Sequence, residues 1–306
     1  MPEANEEFYY TQSPSLKSLW LKRAFQWSGL KKIMERFSTS RFLMYLSNTP
    51  YPTRSVKKVA TVTLHTEQGK NVFTLSPKIN PSKVIILYIH GGAFTINFTR
   101  PHWNFIRDLI RHNHCTVVAP DFPLLPDDYQ TRLEMVYKVY ESILRKTDSR
   151  NIILMGDSSG GNTALALAQL AHENKIETPG QIILLSPWLD VSMTNPELKT
   201  NLPDDPMLSY PAAIKVGKAH AGKSPATFYQ VSPLYGQLKE IGRISVFTGT
   251  KDILNPDARR LKQFAREQQA PLHYYEYQSM MHAWMLFDMP EAQLVKKQIA
   301  DLISSS

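Results

Sequence analysis

Residues 151–161 read N-I-I-L-M-G-D-S-S-G-G and run on into N-T-A-L-A-L-A. The first part is an apolar, β-branched run, the pattern of a strand covered on both faces, and the small-residue run after it reads as a helix. Between them lies G-x-S-x-G in the register Gly156, Ser158, Gly160. A strand that reverses into a helix within two residues leaves the middle side chain strained and projecting, and the flanking glycines keep neighbouring backbone from colliding. The helix N-terminus beyond it favours negative charge, which a serine nucleophile develops as it attacks. A register centred on Ser159 needs glycine where Asp157 stands, so Ser158 is the candidate nucleophile. Taken alone, the stretch also fits an ordinary serine in a glycine-rich turn, and the surrounding chain has to decide.

Working outward, further apolar runs fall at 84–89, 116–119, 182–185 and 244–247, and 273–277 (H-Y-Y-E-Y) makes a last strand. Helical patterns separate them at about 101–113, 128–146, 159–174, 256–269 and 291–304. This alternation predicts an α/β fold: a mostly parallel sheet with helices on both faces and the strand C-terminal ends along one edge. Upstream, 57–65 and 70–75 alternate around Gly69 as an antiparallel hairpin. Residues 14–46 read as two amphipathic helices split at Ser28-Gly29, with lysines and arginines between Leu16, Leu19, Trp20, Phe25, Leu30, Ile33, Met34 and Phe37. Such a basic helix can lie on a membrane surface; its place ahead of a catalytic-looking domain favours covering the core or roofing a pocket. Between 190 and 243 no core strand is expected, yet the interval is too long for a bare loop, so it reads as an insertion over the active edge.

A serine hydroxyl needs a base, and the base an orienting carboxylate. His282 follows the last strand through Q-S-M-M, and Asp252 directly follows the 244–247 strand, so both fall at the same sheet edge as Ser158. Asp257 fits the first turn of the next helix instead. At the end of the 84–89 strand, H-G-G-A-F (90–94) offers backbone N–H groups for an oxyanion: those of Gly91 and Gly92, joined by that of Ser159. His90 is assigned to holding this loop, not to proton transfer.

Composition narrows the class. Apolar residues make up 42% and aromatics 10%, as in an ordinary globular core. Lys plus Arg number 35 against 27 Asp plus Glu, a formal charge of +8, but no basic run of five or more occurs, so nucleic acid is not an expected partner. The single Cys115 excludes an intrachain disulfide and suits a reducing compartment. With no signal-peptide pattern and no long apolar run, a cytoplasmic location is expected, without stable membrane insertion though compatible with weak surface association.

Together, H-G-G-A-F at 90–94, G-D-S-S-G-G at 156–161, S-P-W-L-D at 186–190, T-K-D-I-L-N-P-D at 250–257 and H-A-W at 282–284 resemble the hormone-sensitive-lipase-like esterases of the α/β-hydrolase superfamily. The order Ser158, Asp252, His282 is that of this superfamily. The resemblance covers about residues 57–305. It implies one α/β-hydrolase domain over 1–306, with a helical cap from residues 1–50 and an inserted cap segment at 191–232. It also implies hydrolysis of short- to medium-chain acyl esters through an acyl-enzyme, with no metal or cofactor, in a monomer or homodimer. Phe94, Asp157, Trp188 and Trp20 are the candidate pocket residues. Two departures stand out: Ala93 where a third glycine is usual, and Asp121-Phe122-Pro123-Leu124-Leu125-Pro126-Asp127 in place of D-Y-R-L-A-P-E, without its arginine. The same triad could serve an amide or peptide hydrolase, and relatives of this fold include non-catalytic small-molecule receptors, which have typically lost a triad member.

Overall fold

The computed structural model describes residues 5–37, 49–202 and 204–304. Its strands, in chain order, are β1 (Glu6–Tyr10), β2 (Ala60–Glu67), β3 (Lys70–Pro77), β4 (Ile85–Ile89), β5 (Thr116–Pro120), β6 (Ile152–Asp157), β7 (Gln181–Leu185), β8 (Arg243–Gly249) and β9 (Leu272–Tyr277). They form one sheet in the order β1-β9-β8-β7-β6-β4-β5-β3-β2, antiparallel only at the β2–β3 and β3–β5 pairings. The helices are α1 (Leu16–Trp27), α2 (Leu30–Phe37), α3 (Arg54–Val59), α4 (Arg100–Asn113), α5 (Tyr129–Leu144), α6 (Ser159–Glu173), α7 (Leu198–Asn201), α8 (Tyr210–Ala221), α9 (Asn255–Glu267) and α10 (Pro290–Ser304).

Successive residues of the apolar runs point to opposite faces, so each run feeds two cores at once. Ile86, Tyr88, Ile153 and Met155 face α4 and α10, whereas Leu87, Ile89 and Leu154 face α5, α6 and α9. A third cluster lies beyond the strand ends, where Phe94, Trp188, Val191, Val216, Ile253 and Leu254 pack under the 190–243 interval. That interval carries α7 and α8 and, among the described residues, no strand.

From β4 the chain steps one way to β5, then crosses to the other side of β4 to continue with β6. The loops after β4 and β6 therefore diverge at a topological switch point, where open α/β sheets leave a crevice. The candidate oxyanion loop and the candidate nucleophile are the two lips of that crevice.

Two expectations need correction. Residues 1–50 are expected to form a cap, but Glu6–Tyr10 adds a parallel edge strand to β9, so this part belongs to the sheet. The cause is a short alternation. Phe8 and Tyr10 turn inward onto Tyr275 and Tyr277, and Glu7 turns outward to Lys262 and Arg266. Second, 57–59 are the last turn of α3, and the hairpin begins at Ala60. Its turn is two residues long, Gln68-Gly69, both at positive φ (48° and 73°), which matches the twist of a tight hairpin. The helical stretch breaks at Gly29 (φ 70°) as expected; its part from 38 to 46 lies outside the described residues, as do Ser305 and Ser306.

Candidate active site

Ser158 stands between β6 and α6 with φ 52° and ψ −120°, a conformation disfavoured for any residue with a Cβ. Neighbours hold it there. Its N–H donates to the Leu185 carbonyl at 2.9 Å, and its own carbonyl accepts from Trp188 N at 2.9 Å. A Cβ at Gly156 would strike the Gly160 carbonyl, and one at Gly160 would strike that of Ile89. These two glycines are what let helix and strand pass so closely.

His282 and Asp252 arrive on neighbouring loops that are clipped together. Lys251 N donates to the Met280 carbonyl at 2.9 Å and Ser279 N to Thr250 Oγ1 at 2.9 Å. His282 Nδ1 lies 2.8 Å from Asp252 Oδ2, and both side chains are buried. Because a carboxylate only accepts, Nδ1 carries the proton and Nε2 keeps its lone pair. Burial by itself depresses the imidazole, but the carboxylates of Asp252, Asp205 and Asp157 outweigh it and hold His282 above its ordinary value. Asp257 lies in the first turn of α9 as expected, where it accepts from Asn195 Nδ2 at 2.9 Å and Arg260 Nη1 at 3.0 Å.

Asp205 escaped the sequence reading, because Asp204-Asp205-Pro206 signals only a turn. It is buried, and its carboxylate accepts from Met207 N (2.8 Å), Leu208 N (2.9 Å) and Ile253 N (3.0 Å). It thus ties the inserted segment to the backbone next to Asp252. Burial, with Asp252 adding to it, pushes this carboxyl up to about 6.

Around the loop after β4, His90 donates from Nδ1 to the Gly91 carbonyl at 2.7 Å and stacks on Phe122 at 4.3 Å. Burial drives it down to about 3, so the ring is neutral, and these contacts make it a support for the loop. Gly91 departs from expectation: its N–H donates to Asp157 Oδ1 at 3.0 Å and is not available to an oxyanion. Tyr88 Oη (2.7 Å) and His102 Nε2 (3.3 Å) also meet Asp157, so this carboxylate anchors the loop from below. Gly92, Ala93 and Phe94 follow at φ 120°, 52° and 56°. The Phe94 N–H reaches Ser159 Oγ at 3.3 Å, while among the described residues no protein acceptor takes the N–H of Gly92, Ala93 or Ser159. Two adjacent non-glycine residues in the left-handed region cost on the order of 1 kcal/mol each, a strain the packing beneath must hold.

That packing includes a buried guanidinium. Pro123 occupies the place where the resemblance leads one to expect arginine, and Arg132 of α5 approaches from the other side. It donates to the Pro123 carbonyl at 2.9 Å, meets His220 Nδ1 at 3.0 Å, and lies 4.8 Å above the Phe94 ring. Arg132→Met would leave these acceptors unpaired in a dry site. We expect a loss of roughly 2–4 kcal/mol, read as a lower midpoint in thermal or urea unfolding; an unchanged midpoint would refute this role.

Ser158, His282, Asp157, Gly92 and Ala93 share the wall of one cavity of ≈ 430 Å³, completed by α2 through Leu30, Ile33 and Met34. A narrower recess of ≈ 30 Å³ opens from Ser158 toward Trp188, Ala212, Ala213, Val216 and Leu254. Of the candidate pocket residues, Trp188 and Asp157 line these spaces. Phe94 does not: it is buried in the wall, stacked on His220 at 3.9 Å. Trp20 does not either, being 69% exposed on the outer side of α1. Leu30, Ile33 and Met34 of α2, read from sequence only as part of a helical face that covers the core or roofs a pocket, line the larger cavity. Ala212, Ala213 and Val216 of α8, in the recess, were not singled out, since periodicity gives a face without saying what it faces. Among the described residues, no helix is long and apolar enough to cross a membrane.

Residues 86–286 match the model of a family described as having the α/β-hydrolase fold. An esterase of Acinetobacter venetianus is 30% identical over 227 residues, covering 72% of this chain and 75% of its own length. A triacylglycerol lipase of Mycobacterium tuberculosis is 28% identical over 79% of this chain, which spans about half (51%) of that protein. Among solved structures, a hormone-sensitive lipase from a metagenome library superimposes with a TM-score of 0.81 at 20% identity, covering 93% of this chain and 98% of its own; at that identity the likeness speaks for the fold. The chain belongs to the α/β-hydrolase-fold family, among its esterases.

Proposed function

We propose that the protein hydrolyses short-chain acyl esters with Ser158 as nucleophile, His282 as general base and acid, and Asp252 as its orienting carboxylate. The observation that carries this reading is the meeting of the strained Ser158 turn and the Asp252-held imidazole in one cavity wall. Ser158 Oγ attacks the ester carbonyl while His282 Nε2 takes its proton. The tetrahedral oxyanion is received by the unengaged N–H groups of Gly92, Ala93 and Ser159, a set that replaces Gly91 by Ala93. His282 then returns the proton to the departing alcohol, and water repeats the cycle on the acyl-enzyme. The α1–α2 segment and the 191–232 insertion act as a cap over the cavity; Ser209 Oγ donating to Glu35 at 2.8 Å and Lys31 Nζ to the Leu202 carbonyl at 3.4 Å join the two.

The two spaces beside Ser158 suggest which half of the ester is small. The leaving alcohol must be within reach of His282, which borders the larger cavity and not the recess. The acyl group therefore occupies the ≈ 30 Å³ recess, with room for a few atoms. Across p-nitrophenyl esters from acetate to dodecanoate, kcat/KM should be highest for acetate or butyrate and fall steeply beyond. Val216→Ala, which lengthens the recess, should move the optimum toward longer chains; a flat wild-type profile, or one peaking at the long end, would reverse the assignment of the two spaces. The nucleophile itself is tested by stoichiometric labelling with an aryl phosphonate. The adduct is expected on the peptide containing Ser158, and labelling elsewhere would remove Ser158 from its role.

A further inference from the structure

The outer face of α1 is apolar where a surface helix is ordinarily polar. Leu16, Trp20 and Trp27 recur at four- and seven-residue spacing on one side of the helix and are 85%, 69% and 84% exposed. Arg23 falls on the same side, and exposed Leu19 flanks it. The opposite side holds the helix to the protein. Ser18 is buried, Leu21 and Phe25 pack on the core, and Phe25 meets Phe287 edge-on at 5.3 Å. The N-cap Ser15 is fixed by Glu291 of α10, which accepts from its N–H at 2.6 Å and its hydroxyl at 3.0 Å. A helix so anchored presents two bare tryptophans as a fixed feature of the surface, and contiguous apolar exposure of this kind marks a docking site.

Charge identifies what docks. Residues 16–37 contain six Lys or Arg and one Glu. Lys17 is paired with Asp288 at 2.6 Å, and Glu35 is engaged by Ser209, while Arg23 and Lys32 are exposed. Indole rings beside guanidinium and ammonium groups suit the headgroup layer of a lipid surface, where rings settle at the acyl boundary and cations meet anionic phosphates. A second copy of the chain fits poorly, because pairing this face with itself would bring Arg23 and Lys32 against their own kind.

We propose that the outer face of α1, continued by α2, docks the protein on an anionic lipid surface. Leu30, Ile33 and Met34 of α2 also form part of the wall around Ser158, so the docked face borders the cavity that receives substrate. Delivery of lipid-dissolved esters along that path rests on the esterase reading; docking itself does not.

The test uses the full chain with vesicles of phosphatidylcholine, with and without phosphatidylglycerol. Wild type should co-sediment with the phosphatidylglycerol vesicles, lose binding at high salt, and show quenching of tryptophan emission by brominated lipid, since the other three tryptophans are buried. Leu16→Ser/Trp27→Ser should bind on the order of tenfold more weakly while keeping wild-type hydrolysis of the water-soluble p-nitrophenyl acetate, which shows that the fold is intact. Arg23→Gln/Lys32→Gln should lose the preference for the anionic lipid. Failure of wild type to bind either vesicle, or equal binding by the apolar double variant, overturns the proposal. So does concentration-dependent dimerisation that the double variant abolishes without vesicle binding. An inactive but vesicle-binding wild type would count against the esterase reading alone.

Discussion

Replacing Ser158 by alanine is expected to lower kcat on p-nitrophenyl acetate by about 10⁵-fold, equivalent to about 7 kcal/mol of transition-state stabilisation. What remains would come from the oxyanion donors and from binding. KM should change little, because the acyl recess and the larger cavity keep their walls. Stability should also change little, since alanine suffers the same penalty at φ 52°. Ser158→Gly separates the two properties. It should be equally inactive yet more stable by about 1 kcal/mol, because glycine adopts this backbone without strain. Initial rates combined with thermal unfolding measure both effects. Alanine-variant activity within tenfold of wild type would exclude Ser158 as nucleophile, and a glycine variant no more stable than wild type would show that the turn stores no strain.

The parts of this molecule legible in its sequence are those dictated by period and by local backbone need. The runs at 84–89, 152–155 and 244–247 announced buried strands because they are apolar but for Ser245, and Gly156 and Gly160 announced the turn because no other residue passes there. Asp252 and His282 could be placed at one edge because each follows its strand within a few residues. Features depending on a distant partner stayed hidden. Glu6–Tyr10 is a strand only because β9 offers an edge and two tyrosines to pack on. Gly91 and Gly92 look equivalent in sequence, and only the tertiary position of Asp157 consumes one N–H and leaves the other. Arg132 supports the Phe94 wall from an element where no motif would seek it. Asp205 is likewise silent until the insertion folds back on the Asp252 loop.

Asp205 and Asp252 give the second large prediction, in which rate and pH dependence part company. Asp252→Asn should reduce kcat by roughly 10³–10⁴-fold, since the amide neither fixes the Nδ1–H tautomer of His282 nor stabilises the imidazolium formed during attack. Asp257→Asn should leave the rate within about twofold of wild type, a surface-like outcome for the reaction, because its partners are Asn195 and Arg260. Asp205→Asn should fall between them. It leaves Asp252 on His282 but removes one of the negative charges that hold the imidazole above its ordinary value. The sign follows directly: the base works only when neutral, so a raised value places the acid limb of kcat/KM above the ordinary histidine range. Removing the Asp205 charge favours the neutral ring and moves that limb to lower pH. A merely structural Asp205 would lower the rate or the unfolding midpoint with the limb unmoved. A limb displaced to higher pH would contradict the electrostatic argument altogether. The amide at 205 also faces backbone donors with one acceptor where two oxygens stood, at a cost of about 1–3 kcal/mol in stability. The pH profiles are therefore to be recorded well below the unfolding temperature of each variant, where a change in the limb reports on His282 and not on the folded fraction.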